Sequence, residues 1–257
     1  MKLTFQAQLR HPSLPVSLNH AIAGLVYRIL GQASAQFATR LHDEGFADEG
    51  RRFKLFTFSR LSFRRSHHAG QRIVLDDPVT ELLISSPVSD FIEHFVTGLF
   101  QIEQFHLAGT PFVLTAAETL PPPDFSGATS FRALSPITES VRDDENRVRY
   151  LSPEDDWSAV MQRNLLRKYR ALHGHDPADS SLYWQWDQTY LQRLSAEGRR
   201  ASALVTINDI KVRGWLAPFT IGGSRELIEL GYEAGFGNRN SMGFGMAVIQ
   251  SLLDKTD

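Results

Sequence analysis

Pro121-Pro122-Pro123 interrupts the sequence near its middle. Three successive prolines lack amide donors and resist both helix and sheet, so the triplet reads as a short stiff spacer. Upstream, residues 2–10 alternate as a half-buried strand does, with Leu3, Phe5, Ala7 and Leu9 on one side. Ile22, Leu25, Val26 and Ile29 recur at helical spacing over 19–30, and Gly31 is expected to end that helix. Ser34 offers an N-cap for a second short helix through Phe37 and Leu41, with Gly45 as its stop. Aromatic-rich 53–63 reads as a strand, followed by shorter strands at 72–75 and 81–85. Ser86-Pro87 opens a helix bearing Val88, Phe91, Ile92, Phe95 and Leu99 on one face, and strands follow at 104–107 and 112–117.

Downstream of the prolines the same order returns. A strand is expected at 130–137, a helix from Pro153 to about 172, strands at 203–212 and 215–221, a short helix at 225–230 and a last strand at 244–252. The stretch 183–200, with Trp184, Trp186, Tyr190 and Leu191, reads as an inserted helix. β-α-β-β-α-β on both sides predicts an α+β fold of two tandem ferredoxin-like (RRM-like) domains, 1–120 and 124–257.

The 257 residues suffice for two such domains, and 42% apolar with 22% charged residues gives ordinary globular composition. Twenty-seven basic against 29 acidic residues leave a net charge of −2, so nucleic-acid binding would have to come from local patches. The absence of cysteine excludes disulfides, thiolate metal sites and a cysteine nucleophile. With an alternating start and no apolar run approaching ~18 residues, a soluble, cytoplasmic protein without a membrane partner is expected.

The segment 231–245 holds 5 of the 18 glycines. Gly235, Gly237, Gly243 and Gly245 permit positive φ and close backbone approach to an anion, and Arg239, Asn240 and Ser241 add donors. A glycine-rich hairpin accounts for the composition equally well. The spacing is neither a dinucleotide fingerprint nor a Walker loop.

Gly-Tyr-Glu-x-Gly-Phe-Gly-x-x-Asn-Ser-x-Gly-Phe-Gly-Met, residues 231–246, resembles the glycine-rich signature of the CRISPR repeat-processing endoribonucleases of the RAMP superfamily. Leu18-Asn19-His20 with Gly24-Leu25-Val26-Tyr27, Ala38-Thr39-Arg40-Leu41-His42 and Lys54 to Ser59 resemble further segments of that family. So do Phe125-Ser126-Gly127 and Leu134-Ser135-Pro136-Ile137 at the start of the second domain. The resemblance implies tandem ferredoxin-like domains and metal-independent cleavage of precursor CRISPR RNA within its repeats. In that reaction the ribose 2′-hydroxyl attacks the adjacent phosphate, giving 2′,3′-cyclic phosphate and 5′-hydroxyl ends. It also implies a Tyr–His–Lys triad, which falls on Tyr27, His42 and Lys54. The pKa of free histidine, near ~6.5, suits His42 to proton transfer. His20, at the opening of the first helix, fits capping or an RNA contact better.

Residues 51–72 carry Arg51, Arg52, Lys54, Arg60, Arg64, Arg65 and Arg72 with no acid, interleaved with Phe53, Phe56, Phe58 and Phe63. A one-signed patch with aromatics favours a nucleic-acid face. Lys211 and Arg213 fall where the family contacts RNA. Arg163, Arg167 and Arg170 share one helix face, opposite Met161, Leu165, Tyr169 and Leu172, and read as solvated surface. His67-His68 point apart, so no metal constellation or cofactor is expected. The expected partner is CRISPR repeat RNA, with effector-complex subunits as further partners of a monomer or homodimer. The alternative is a non-catalytic RNA-binding RAMP subunit of an effector complex, since fold alone does not fix function.

Overall fold

The computed structural model describes residues 1–250 apart from 122, 124, 126–128 and 208. In the upstream half the core strands are β1 (Lys2–Ala7), β2 (Thr57–Phe58), β3 (Val79–Ser85) and β4 (Thr110–Glu118), all antiparallel in the order β2-β3-β1-β4. Phe105–Leu107 extends the β4 edge, and Ser62–Phe63 also pairs with β3. The alternation of β1 survives intact: Leu3, Phe5 and Ala7 are buried under helices α1 (Asn19–Ala33) and α3 (Ser89–Gln101). The two helices approach so closely that a Cβ at Gly98 would stand 1.9 Å from the Ile29 carbonyl. That contact requires glycine.

The downstream half repeats the pattern. Its strands β5 (Thr129–Ala133), β6 (Leu182–Trp186), β7 (Pro218–Gly223) and β8 (Ala247–Ile249) lie in the order β6-β7-β5-β8, covered by α4 (Trp157–His173) and α6 (Arg225–Ala234). Both sheets thus carry the ferredoxin-like order, and the tandem α+β reading holds. Short α2 (Ala35–Asp43) and α5 (Gln188–Ala196) are additions to it.

Several elements differ from the sequence reading. α1 runs through Gly31 to Ala33, because Ser34 provides the break: its backbone closes α1 on Leu30 while its hydroxyl caps α2 at Phe37. Residues 53–63 split into short strands, since Leu55 takes a left-handed φ of 49°. α3 and α4 begin two and four residues beyond their prolines, α4 capped by Asp156. The second strand of the downstream sheet is β6, in the stretch expected to be helical. Trp184 and Trp186 alternate inward there, with Trp184 stacked 3.8 Å from Phe219. Residues 203–221 are a hairpin, Ser202–Ile207 with Ile210–Trp215, followed by the separate β7, because the chain reverses at Asp209 (φ 64°). α6 extends to Ala234, so Gly231 is helical. Pro122, Ser126, Gly127 and 251–252 of the expected last strand lie outside the described residues. Among the described residues no helix is long and apolar enough to cross a membrane.

Candidate active site and nucleic-acid interface

Tyr27 on α1, His42 in the last turn of α2 and Lys54 come together. The Tyr27 ring meets the His42 ring edge-on at 5.2 Å and the Phe56 ring at 5.8 Å, and the Lys54 ammonium donates to the His42 backbone carbonyl. Twelve residues separate His42 from Lys54, yet the chain returns locally. Phe46–Asp48 pairs with Arg51–Phe53, and Glu49 and Gly50 both take positive φ at the tip, as a tight hairpin turn demands. At the base, Gly45 has φ 63°, and a Cβ there would stand 2.4 Å from the Phe53 carbonyl and 3.1 Å from Lys54 Cδ. The hairpin therefore brings Lys54 back beside His42.

His42 is exposed, and its Nδ1 lies 2.8 Å from Asp43 Oδ1. An ionised carboxylate accepts from Nδ1–H, which leaves Nε2 as the basic nitrogen facing solvent. Burial pushes the Tyr27 hydroxyl up to about 12, so it is a neutral donor at physiological pH. Burial and then the neighbouring Arg52 lower Lys54, while Asp43 opposes them. The group offers a proton acceptor, a neutral donor and a cation in mutual contact. These are the components that transfer of a phosphoryl group needs.

The glycine-rich segment is built differently. Gly235, Gly237, Gly243, Gly245 and Asn240 are buried, and each of the four glycines has φ between 72° and 89°. In the structure these glycines are packing positions. A Cβ at Gly235 would strike Asn240 and Thr57, one at Gly243 would strike Phe58 and Asn19, and one at Gly245 would stand 2.1 Å from the Phe236 carbonyl. The loop carbonyls turn inward. Lys168 Nζ takes those of Gly235 (2.6 Å) and Gly237 (2.7 Å) and also Asn240 Oδ1 (2.8 Å). Asn19 Nδ2 takes those of Met242 and Gly243, and Thr57 Oγ1 that of Phe244. Arg239 stays exposed and Ser241 half-buried at the outer rim.

Lys211 and Arg213 project from one side of the downstream hairpin, while Val212 between them packs on Phe244 of the glycine loop. His20 is exposed beside Asn19 and does not cap α1, whose N-cap Leu18 has no side-chain bond. The cationic stretch 51–72 divides: Arg51 and Arg52 lie on the 46–53 hairpin, where Arg52 donates to the Asp43 carbonyl, and Arg60 lines a cleft of about 960 Å³ between the two sheets. Arg64, Arg65 and Arg72 sit beside a small separate sheet in which Arg72 is tied to Ser13. That cleft also holds Arg132, Arg193 and Tyr190, but none of the Tyr27 group. Arg167 and Arg170 are engaged with Glu49 at the tip of the 46–53 hairpin, not merely solvated.

Sequence reasoning missed Asp43, Asn19, Thr57 and Lys168. For Lys168 a signal existed: with Asn164 it lies in the middle of the apolar stripe of Met161, Leu165 and Leu172.

Two ferredoxin-like sheets in tandem, with a glycine-rich loop ahead of the last strand, place the chain in the class of tandem ferredoxin-like α+β proteins. Family models for CRISPR-associated protein Cas6, N-terminal, and CRISPR associated protein Cas6, C-terminal, match residues 13–118 and 120–249. The chain belongs to the Cas6 family. It is 30% identical over 239 residues to CRISPR-associated endoribonuclease Cas6 1 of Methanocaldococcus jannaschii, spanning 91% of this chain and 87% of that relative. It is 26% identical to CRISPR-associated endoribonuclease Cas6 of Pyrococcus furiosus, spanning 92% and 84%. A solved structure described as CRISPR associated protein Cas6 superposes with a TM-score of 0.75 at 28% identity, covering 96% and 97% of the two chains. One described as an RAMP protein binding different RNA substrates shares the fold, with a TM-score of 0.80 at 20% identity over 96% and 98%.

Proposed function

We propose that the chain cuts precursor CRISPR RNA within its repeats, without a metal ion, by attack of a ribose 2′-hydroxyl on the adjacent phosphate. The observation that carries this reading is the convergence of Tyr27, exposed His42 and Lys54 from three separate segments. As the 2′-oxygen bonds to phosphorus, its proton leaves to a base; as the bond to the 5′-oxygen breaks, that oxygen gains a proton. The products are a 2′,3′-cyclic phosphate and a 5′-hydroxyl, and no water is consumed. His42 Nε2 handles the proton traffic, the neutral Tyr27 hydroxyl donates to the leaving side, and Lys54 offsets charge on the crowded phosphate. Residues 1–120 carry this chemistry. Residues 124–257 hold the RNA, through Arg239, Ser241, Lys211 and Arg213, with His20 beside them.

The test is a repeat RNA incubated with the protein in EDTA, alongside the same RNA with deoxyribose immediately 5′ of the scissile phosphate. Cleavage of the first and survival of the second are expected. Loss of cleavage in EDTA, or cutting of the deoxy substrate, would overturn the mechanism.

A further inference from the structure

Lys168 is 1% exposed and takes no part in the chemistry above. An ammonium group has three hydrogens, and Lys168 meets three acceptors: the carbonyls of Gly235 and Gly237 and the side-chain oxygen of Asn240. It fills the interior of the glycine-rich loop from the α4 side. Asn240, gripped by Lys168, uses its own amide to hold the carbonyls of Phe236 and Phe244 at 3.3 Å and 3.0 Å. Asn238 is held as firmly: its amide donates to buried Glu139 (2.5 Å), its oxygen accepts from Asn164 of α4, and its backbone N–H donates to the Thr138 carbonyl.

Arg239 lies between these two fixed asparagines. Its backbone is left-handed, φ 61° and ψ 31°, a conformation unfavourable for any residue with a Cβ. Such a conformation persists only where neighbours over-determine it, and both neighbours here trace back to α4 and Glu139. The Arg239 side chain is exposed and makes no hydrogen bond or ion pair among the described residues. The backbone therefore fixes its Cα–Cβ vector, and with it the side of the loop from which the side chain leaves.

We propose that Lys168 is a positioning residue for RNA binding: from the buried side of the glycine-rich loop it holds the strained backbone that aims Arg239 at the RNA. The inference rests on the RNA-binding reading above. It separates binding from chemistry, because Tyr27, His42 and Lys54 are held by contacts among themselves, Asp43 and Phe56, none of which involves Lys168.

The experiment is a double-mutant cycle with Lys168→Met and Arg239→Gln, binding the uncleavable deoxy repeat RNA at several salt concentrations, each variant below its melting temperature. Both single variants are expected to raise Kd about tenfold and to flatten the slope of log K against log salt by ~0.7, one single-strand phosphate contact. The double variant should bind no worse than Arg239→Gln alone, since the first change acts through the second residue. At saturating RNA, single-turnover cleavage by Lys168→Met should stay within a few-fold of wild type. A merely structural Lys168 would lower the melting temperature and leave the salt slope unchanged, and multiplicative losses in the double variant would likewise overturn the proposal. If Lys168→Met does not fold, Thr57→Val releases the loop from its other side at Phe244. It should show the same non-additivity with Arg239→Gln, with binding restored in Thr57→Ser, and additive losses there sink the idea. Failure of the wild-type protein to bind repeat RNA at all would instead overturn the functional reading, and this inference with it.

Discussion

His42 keeps 68% of its side chain in solvent, whereas Lys168 keeps 1% exposed, and the regions around them follow that contrast. Around His42 the positioning contacts are few: one carboxylate on Nδ1, one ring edge, one ammonium on its carbonyl. Around Lys168 every inward-turned carbonyl of the loop from Gly235 to Phe244 described above has a donor, and the glycines leave no room for a side chain. The open group can change protonation and meet a substrate without disturbing the core. The closed loop cannot change at all without a structural cost. A residue's chemistry and a residue's stability contribution are thus concentrated in different places, and substitutions in the two regions should fail in different ways.

His42→Ala gives the largest expected effect. A proton-transfer group contributes ~10²–10⁴-fold, so single-turnover cleavage should fall by at least about a hundredfold. RNA affinity should stay within a few-fold and the melting temperature within about 1 °C, since truncating an exposed side chain removes little packing. His20→Ala should show the reverse pattern, with binding reduced more than rate. A dead His20→Ala enzyme with normal RNA affinity, beside an active His42→Ala enzyme, would move the chemistry to the other histidine.

Gly245→Ala attacks the closed region. Its φ of 83° and the 2.1 Å approach of a new Cβ to the Phe236 carbonyl combine backbone strain with a clash against unmoving main chain. Strain of this kind costs ~1–3 kcal/mol before the clash is added. At roughly 2–4 °C per kcal/mol for a chain of this size, thermal denaturation should shift down by about 5–10 °C. The rate of cleavage per bound RNA should change less than in His42→Ala. A variant as stable as wild type would show that the loop has slack the packing does not reveal.

The two regions also differed in how far the sequence disclosed them. The alternation of Leu3, Phe5 and Ala7 and the helical spacing of Ile22, Val26 and Ile29 were legible because each element buries one face against the same core. β6 was not. Its five residues are too short for a period to stand out, and Trp184 and Trp186 also fit a helix that continues to Tyr190. The two strands of the 202–215 hairpin read as a single strand, 203–212, because nothing in the local pattern says that Val212 packs on Phe244, 32 positions away. Tyr27, His42 and Lys54 were accessible only through family likeness, since their meeting depends on a hairpin whose return is fixed by Gly45. The glycines were visible by density, but their purpose was not: a Gly-rich stretch looks the same whether it opens toward an anion or closes around a lysine from another helix.

Tyr27→Phe tests the open group with its packing kept. The ring contacts with His42 and Phe56 remain, so stability at neutral pH should be unchanged, while loss of the hydroxyl donor should slow cleavage about tenfold. Because burial raises its pKa to about 12, Tyr27 stays protonated in the folded protein over a range where the unfolded chain has ionised it, above about 10. Its contribution to stability is complete below about pH 10 and is lost as pH rises from there through 12. Tyr27→Phe should therefore flatten the alkaline decline in denaturant midpoint, and an unaltered decline would place the ring in a less buried setting.

Glu49→Gln gives the smallest expected effect and asks whether the open group needs outside support. Glu49 stands at the tip of the 46–53 hairpin and reaches Arg167 (3.2 Å) and Arg170 (3.9 Å) on α4, the only ion pairs among the described residues that tie this hairpin to the downstream half. The carboxylate is 62% exposed, so the pairing is screened, and exposed ion pairs contribute ~0–1 kcal/mol. The return of Lys54 to His42 depends instead on Gly45 and the register of Phe46 with Phe53 at the other end of the hairpin. Melting temperature should drop by less than about 2 °C in low salt and by nothing measurable in high salt, with cleavage unchanged within a few-fold. A tenfold loss of rate at unchanged stability would mean that α4 aligns Lys54 through the hairpin, and that the exposed region depends on the downstream half after all.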